Sequence, residues 1–235
     1  VDLQRHQEVR CLEDSGEVEF GTGLSMAKLL QVLRASDRSI TIGLSGLTGS
    51  GFILTGGMGP LSRSQGLALD SITAIEGIWG SGESFALSTP STSDDVRRWR
   101  ALMGAAPFLA VVTHLRLRTQ RRQSLRMRHA LITPSQLPEL LQIAESWPET
   151  CSLQWSWGDR LEIYAVDCSS EEPTPQTLKQ LDPILGTNQQ AAIQSCTDQL
   201  ELPTFGRFAS ETAPSMPVHS EVLARLGPAL GQEAG

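Results

Sequence analysis

Gly56-Gly57-Met58-Gly59-Pro60-Leu61-Ser62-Arg63-Ser64-Gln65-Gly66-Leu67, with Asp70 three residues on, is the stretch that decides how this chain is read. It closes a longer run, residues 43–59, with glycine at 43, 46, 49, 51, 56, 57 and 59 and no charged side chain. Glycine admits positive φ and lets backbone approach a neighbour closely, so the run reads as irregular backbone and not as a helix. Two readings stay open on composition. Successive N–H groups free of side chains can cradle phosphate or ring oxygens, or the run is a structural turn in a β-rich domain. No GK[ST] follows, so it is no P-loop. Gly57-Met58-Gly59-Pro60-Leu61-Ser62 puts Ser where a dinucleotide fingerprint needs its third glycine. Leu61–Leu67 reads as a short helical turn closed by Gly66.

Outward from that centre the pattern alternates strands and helices. Upstream, Glu8–Leu12 and Glu17–Phe20 form a hairpin about Asp14-Ser15-Gly16. Ser25 caps a helix over Met26–Ala35 with Leu29, Leu30, Val32 and Leu33 as its apolar stripe, and Ser39–Ile42 is a brief strand. Downstream, Ile72–Trp79 and Ser84–Leu87 form a second hairpin, Asp94–Met103 is helical, and Leu109–Leu117 is a strand. Beyond residue 119 come a strand over Ser124–Ile132, a helix over Pro134–Trp147, strands at Cys151–Trp157 and Arg160–Val166, a short helix at Gln176–Leu181 and a terminal helix at Ser220–Leu226.

With 235 residues, 40% hydrophobic and 19% charged, the chain can build a packed core in one large domain or two small ones. A net charge of −7 argues against a general binder of nucleic acid or anionic membrane. No apolar stretch reaches membrane-spanning length, and Val1–His6 lacks the apolar region of a signal peptide. Cys11, Cys151, Cys168 and Cys196 are far apart, which favours reduced thiols and a cytoplasmic location. His6, His114, His129 and His219 are equally scattered, so no metal site is expected. Arg116, Arg118, Arg121, Arg122, Arg126 and Arg128 read as a solvated strand face, with an anionic substrate or partner as the sharper alternative. Trp155 and Trp157 alternate and share a sheet face, either in the core or lining a pocket.

The order of motifs carries more than any one of them. The Gly56–Asp70 stretch, a strand–turn–strand, Ala101-Leu102-Met103-Gly104 and Val111-Val112-Thr113 resemble the PCMH-type FAD-binding domain of the vanillyl-alcohol-oxidase family, especially its berberine-bridge-enzyme-like members. Their pattern runs GGGxGxLSRxxGLxxDN, strand–turn–strand, then ALRGGGGNFGxVT. The likeness covers Val1 to about Leu117, and LSRxxGLxxD is its specific part. It implies an α+β fold: residues 1–119 as the second subdomain of the FAD-binding domain, and 120–235 as part of a substrate domain built on an antiparallel sheet. Because the family carries a βαβ subdomain before this point, the resemblance implies truncation at the N-terminus.

The resemblance further implies an oxidoreductase that transfers hydride from a small organic substrate to FAD. The cofactor would lie along Ser45, Gly46, Leu47, Thr48, Gly49, Ser50 and Gly51, along Gly56, Gly57, Gly59, Ser62 and Arg63 with Gly66 and Asp70, and along the backbone of Val111, Val112 and Thr113. Arg63 would brace the loop. Leu44 and Ser45 stand where some members place a flavin-linking Cys, which implies noncovalent FAD. A flavin-free relative serving as a structural or interaction module is the alternative. No catalytic acid or base is carried over.

Overall fold

A computed structural model describes residues 1–43, 48–88, 93–157, 160–169, 176–185, 192–196 and 199. Within them the chain builds two large antiparallel sheets, each backed by helices, and a two-stranded ribbon, as expected of an α+β fold. The expected helix at 220–226, the turn residues 158–159 and the loop positions Ser45, Gly46 and Leu47 lie outside the described residues.

The first sheet has five strands in the order β1-β2-β6-β4-β5. β1 (Val9–Leu12) and β2 (Glu17–Gly21) are the first hairpin, β4 (Ile72–Trp79) and β5 (Ser84–Ser88) the second, and β6 (Ala110–Arg118) lies between β2 and β4. Alternation sends Val18, Phe20, Leu115, Leu117 and Ile75 to one face. There they meet Met26, Leu29, Leu30 and Leu33 of α1 (Met26–Ala35), whose first turn is capped by the Ser25 hydroxyl.

The glycine-rich run differs from its expected irregular form in one place. Gly51–Leu54 is a single helical turn, α2, because Phe52-Ile53-Leu54 supplies three apolar side chains in succession, and Ile53 and Leu54 bury in the first core. Glycine raises the cost of a helix; core burial offsets it over so short a span. Ser62–Gln65 is the expected helical turn, α3, closed by Gly66 at φ 79°. The strand expected at Ser39–Ile42 shrinks to β3 (Arg38–Ser39), paired with β7 (Gln120–Arg121). The next backbone is held by a side chain: the buried Gln199 amide donates to Ile40 O at 2.7 Å and accepts from Ile42 N at 3.1 Å. α4 (Ser93–Leu102) and a short α5 (Ala106–Leu109) precede β6.

The second sheet runs β11-β8-β10-β9, with β8 (Leu125–Ile132), β9 (Cys151–Trp157), β10 (Leu161–Asp167) and β11 (Gln194–Cys196). One face packs on α6 (Leu137–Glu145) through Leu137, Leu140, Leu161 and Ile163, joined by Leu178 of α7 (Gln176–Lys179). Arg128 overturns the expectation of a solvated arginine face. It is buried on β8, where Nη1 donates to Leu178 O at 2.9 Å and pairs with Asp182, in α8 (Asp182–Leu185), at 2.6 Å. Arg116 bonds Glu19 at 2.7 Å and Arg122 bonds Asp37 at 3.2 Å, so the row is largely spent on internal ion pairs. Trp155 and Trp157 share a face, as alternation requires, but on the edge strand β9, where they are 46% and 59% exposed and do not fill the core.

Candidate functional site

The Gly56–Asp70 segment folds largely onto itself. The Ser62 hydroxyl accepts from Gly59 N at 2.9 Å, and the Asp70 carboxylate accepts from Leu67 N at 2.9 Å, capping the 3-10 turn Ala68–Ser71. Gly57, at φ 73°, donates nothing outward from a side chain and has no room for one: a Cβ would come within 2.5 Å of Ala68 Cβ and 2.9 Å of Phe52. A Cβ on Gly59 would overlap the Ile42 carbonyl, so this glycine lets two backbone segments touch. Gly66 turns the chain out of α3. The specific motif is therefore a self-satisfied knot that shapes the loop from behind.

Arg63 reaches away from the knot. Nη1 donates to Cys151 O at 2.8 Å and Nη2 to Trp147 O at 3.0 Å, so its planar fork ties α3 to the start of β9. Next to it the Ser64 hydroxyl lies 3.4 Å from Cys168 Sγ. Arg63 thus braces one sheet against the other.

Thr48, Gly49, Ser50 and Gly51 form a different surface. Thr48, Gly49 and Gly51 are exposed, and a Cβ at Gly49 or Gly51 would meet nothing within 4 Å. The buried Ser50 hydroxyl donates to Thr22 O at 2.9 Å and anchors the strip. Gly56 is also open on its Cβ side. The Thr22 hydroxyl in turn donates to Val112 O at 2.6 Å, and Thr22 N to Thr113 O at 2.9 Å. Ser50 and the Val112-Thr113 backbone therefore meet at one residue, Thr22, which no motif had singled out; Val111 lies one position earlier on β6, opposite Ile78. An open glycine strip on a fixed backbone fits the close approach of a planar or phosphate-bearing group. At Gly59, Ser62 and Asp70 the hydrogen bonds run within the segment and fix its shape.

The second sheet contributes a polar row on the face opposite α6. His129, Tyr164 and Gln154 stand directly across from one another on β8, β10 and β9. The His129 ring stacks on Tyr164 at 4.5 Å and 12°, and the Tyr164 hydroxyl donates to Glu162 at 3.0 Å. His129 Nε2 lies 3.5 Å from the same carboxylate, and among the described residues neither it nor the buried Ser152 hydroxyl on that face has a hydrogen-bond partner. Burial first, then the Glu162 carboxylate, pushes the Tyr164 phenol well above its ordinary pKa, so it stays protonated and donating at neutral pH. This array was missed at the level of sequence because the strands that align it have no shared motif.

No protein-family profile matches the chain. It is 29% identical over 177 residues to the FAD-linked oxidoreductase janO of Penicillium janthinellum, covering 74% of this chain and 35% of that protein. With the FAD-linked oxidoreductase nodO of Hypoxylon pulicicidum it shares 32% over 121 residues, 51% of this chain and 26% of the relative. The chain thus spans about a third or less of these relatives' length. Among solved structures, BBE-like 1 of Physcomitrella patens superposes with a TM-score of 0.74 at 15% identity, over 91% of this chain and 50% of that one.

The chain has the BBE-like oxidase fold.

The xylooligosaccharide oxidase of Myceliophthora thermophila also superposes, with a TM-score of 0.72 at 19% identity, over 88% of this chain and 46% of that one. The likeness of fold extends well beyond residue 117, where the motifs end.

Proposed function

We propose that this chain is the part of an FAD-dependent oxidoreductase that supports the flavin and begins the substrate domain, with the division at residues 119 and 120. The observation that carries the reading is the sequence likeness over 177 residues to a protein named an FAD-linked oxidoreductase. FAD, when bound, supplies the acceptor for hydride leaving a small organic substrate. The chain's own residues do the rest. The open Gly49–Gly51 backbone would approach the cofactor, with Ser45, Gly46, Leu47 and Thr48 as its neighbours in sequence assigned to the same contact, and Val111, Val112 and Thr113 on β6 would supply backbone as well. The knot of Gly56, Gly57, Gly59, Ser62, Gly66 and Asp70 holds that strip in place, and Arg63 sets the second sheet against it. Among the described residues of the second sheet, Glu162, Tyr164 and His129 form the array able to hold and move a proton. Binding is noncovalent as far as these residues go. Relatives named as FAD-linked do not favour a flavin-free module.

Cys11, Cys151 and Cys168 are thiols, which supports a reducing, cytoplasmic setting. No helix among the described residues is long and apolar enough to cross a membrane.

The test is to express the protein as its gene encodes it and record its absorbance near roughly 450 nm, where flavins absorb. A yellow protein whose colour is released on acid precipitation supports the reading. A colourless protein that takes up no FAD overturns it in favour of a flavin-free module.

A further inference from the structure

We propose that His6, Glu8 and His114 form a binding site for a zinc-class divalent cation on the outer face of the first sheet. Their ligand atoms lie within 4.8 Å of one another. His114 Nε2 is 2.6 Å from Glu8 Oε1, and His6 Nδ1 is 4.0 Å from the same oxygen. Two imidazoles and a carboxylate are the donor set of three-ligand zinc sites that keep a fourth position open to water. Zinc bond lengths in tetrahedral geometry put ligand atoms about 3.3 Å apart. The His114–Glu8 contact must open and the His6–Glu8 gap close by about 0.7 Å, which side-chain rotation on half-exposed groups can supply.

The backbone beneath is already set for it. Gly21 N donates to Glu8 O at 2.9 Å and Gly23 N to His6 O at 2.8 Å. Two donors spaced by the strand period thus hold His6 and Glu8 on one face. Gly21 also faces His114 across β6. A Cβ there would lie 2.4 Å from the His6 carbonyl oxygen and 2.8 Å from Glu8 Oε1, so the glycine makes room for the His6 backbone and for the Glu8 carboxylate beside His114. On the far side of the imidazole, Nδ1 lies 3.1 Å from the Thr113 hydroxyl and 4.0 Å from Glu76. Such an outer partner orients a ligating histidine and fixes the tautomer that presents Nε2 to a metal. The sequence separates His6 from His114 by over a hundred positions, which is why scattered histidines read as no site.

Titration of the purified, chelator-treated protein with Zn²⁺ by calorimetry, and with Co²⁺ by its visible bands, tests the site. One saturable equivalent is expected, with nitrogen and oxygen ligands by X-ray absorption and a raised melting temperature. Glu8→Ala and His114→Ala should each weaken binding at least about tenfold. Glu8 is exposed, so Glu8→Ala reads binding even if His114→Ala misfolds. Absence of saturable binding, or unchanged affinity in Glu8→Ala, overturns the proposal and leaves a plain His114–Glu8 ion pair. The outcome does not depend on flavin content.

Discussion

Gly49 and Gly59 look alike in the sequence and differ in what surrounds them. A Cβ on Gly59 meets the Ile42 carbonyl, backbone that cannot rotate away, whereas one on Gly49 meets open space. Gly59→Ala should therefore cost about 2–4 kcal/mol of stability, and Gly49→Ala less than about 0.5 kcal/mol. Urea denaturation of the two variants separates them, and FAD titration should show weaker uptake for Gly49→Ala despite its intact fold. The cysteines divide in the same way. Cys151 is buried, and burial, followed by the Asp167 charge, pushes its thiol up to about 11; burial raises Cys168 as well. Since the thiolate is the reactive form, iodoacetamide at pH 8 should label the half-buried Cys11 and spare Cys151 and Cys168 until the chain unfolds, as peptide mapping would show.

At the scale of elements, the joint between α3 and β9 rests on Arg63. Its two donors take the carbonyls of Trp147 and Cys151, on either side of the turn that enters the strand. Lysine presents its three donors from a single nitrogen and lacks the planar fork that spans both carbonyls. Arg63→Lys should lower stability by about 1–2 kcal/mol, the value of one charged hydrogen bond near the surface, and hydrogen exchange should show the first amides of β9 opening more readily. The knot itself should stay protected, because the Ser62–Gly59 and Asp70–Leu67 bonds do not involve Arg63. The motif's serine, glycines and aspartate were legible in the sequence as a unit. That Ser62 and Asp70 turn back on Gly59 and Leu67, while Gly49, Gly51 and Gly56 stay open, was not.

Across the whole molecule, the outer face of the first sheet is written in charge. Arg10, Glu19 and Arg116 stand side by side on β1, β2 and β6. The Arg116 hydrogen bond holds the Glu19 carboxyl below its ordinary value of 4.5. A carboxyl with a lower pKa in the folded state stabilises fully above its unfolded value, and that stabilisation fades as pH falls through the folded one. The stability deficit of Glu19→Gln relative to the parent should be constant from pH 7 to about 5 and shrink below about 4.5, as denaturant midpoints across that range would report.

The sequence by itself determined what depends on near neighbours. Apolar runs bounded by turn signals marked β2, β6 and β10, the Ser25 cap and apolar stripe marked α1, and the glycines of residues 43–59 marked irregular backbone that approaches a neighbour closely. These signals are local and survive without knowledge of the rest of the chain. Tertiary structure alone decided which rows form across strands. Register set Tyr164 between His129 and Gln154, and Glu8 beside Gly21 and His114. It also turned Arg128 inward to Asp182, although its neighbours in sequence suggested a solvated face. The physical reason is that strand register is fixed by burying one face of a whole sheet, and a slip of one residue would exchange every side chain between core and solvent. That constraint belongs to the packed chain, and no local window of residues contains it.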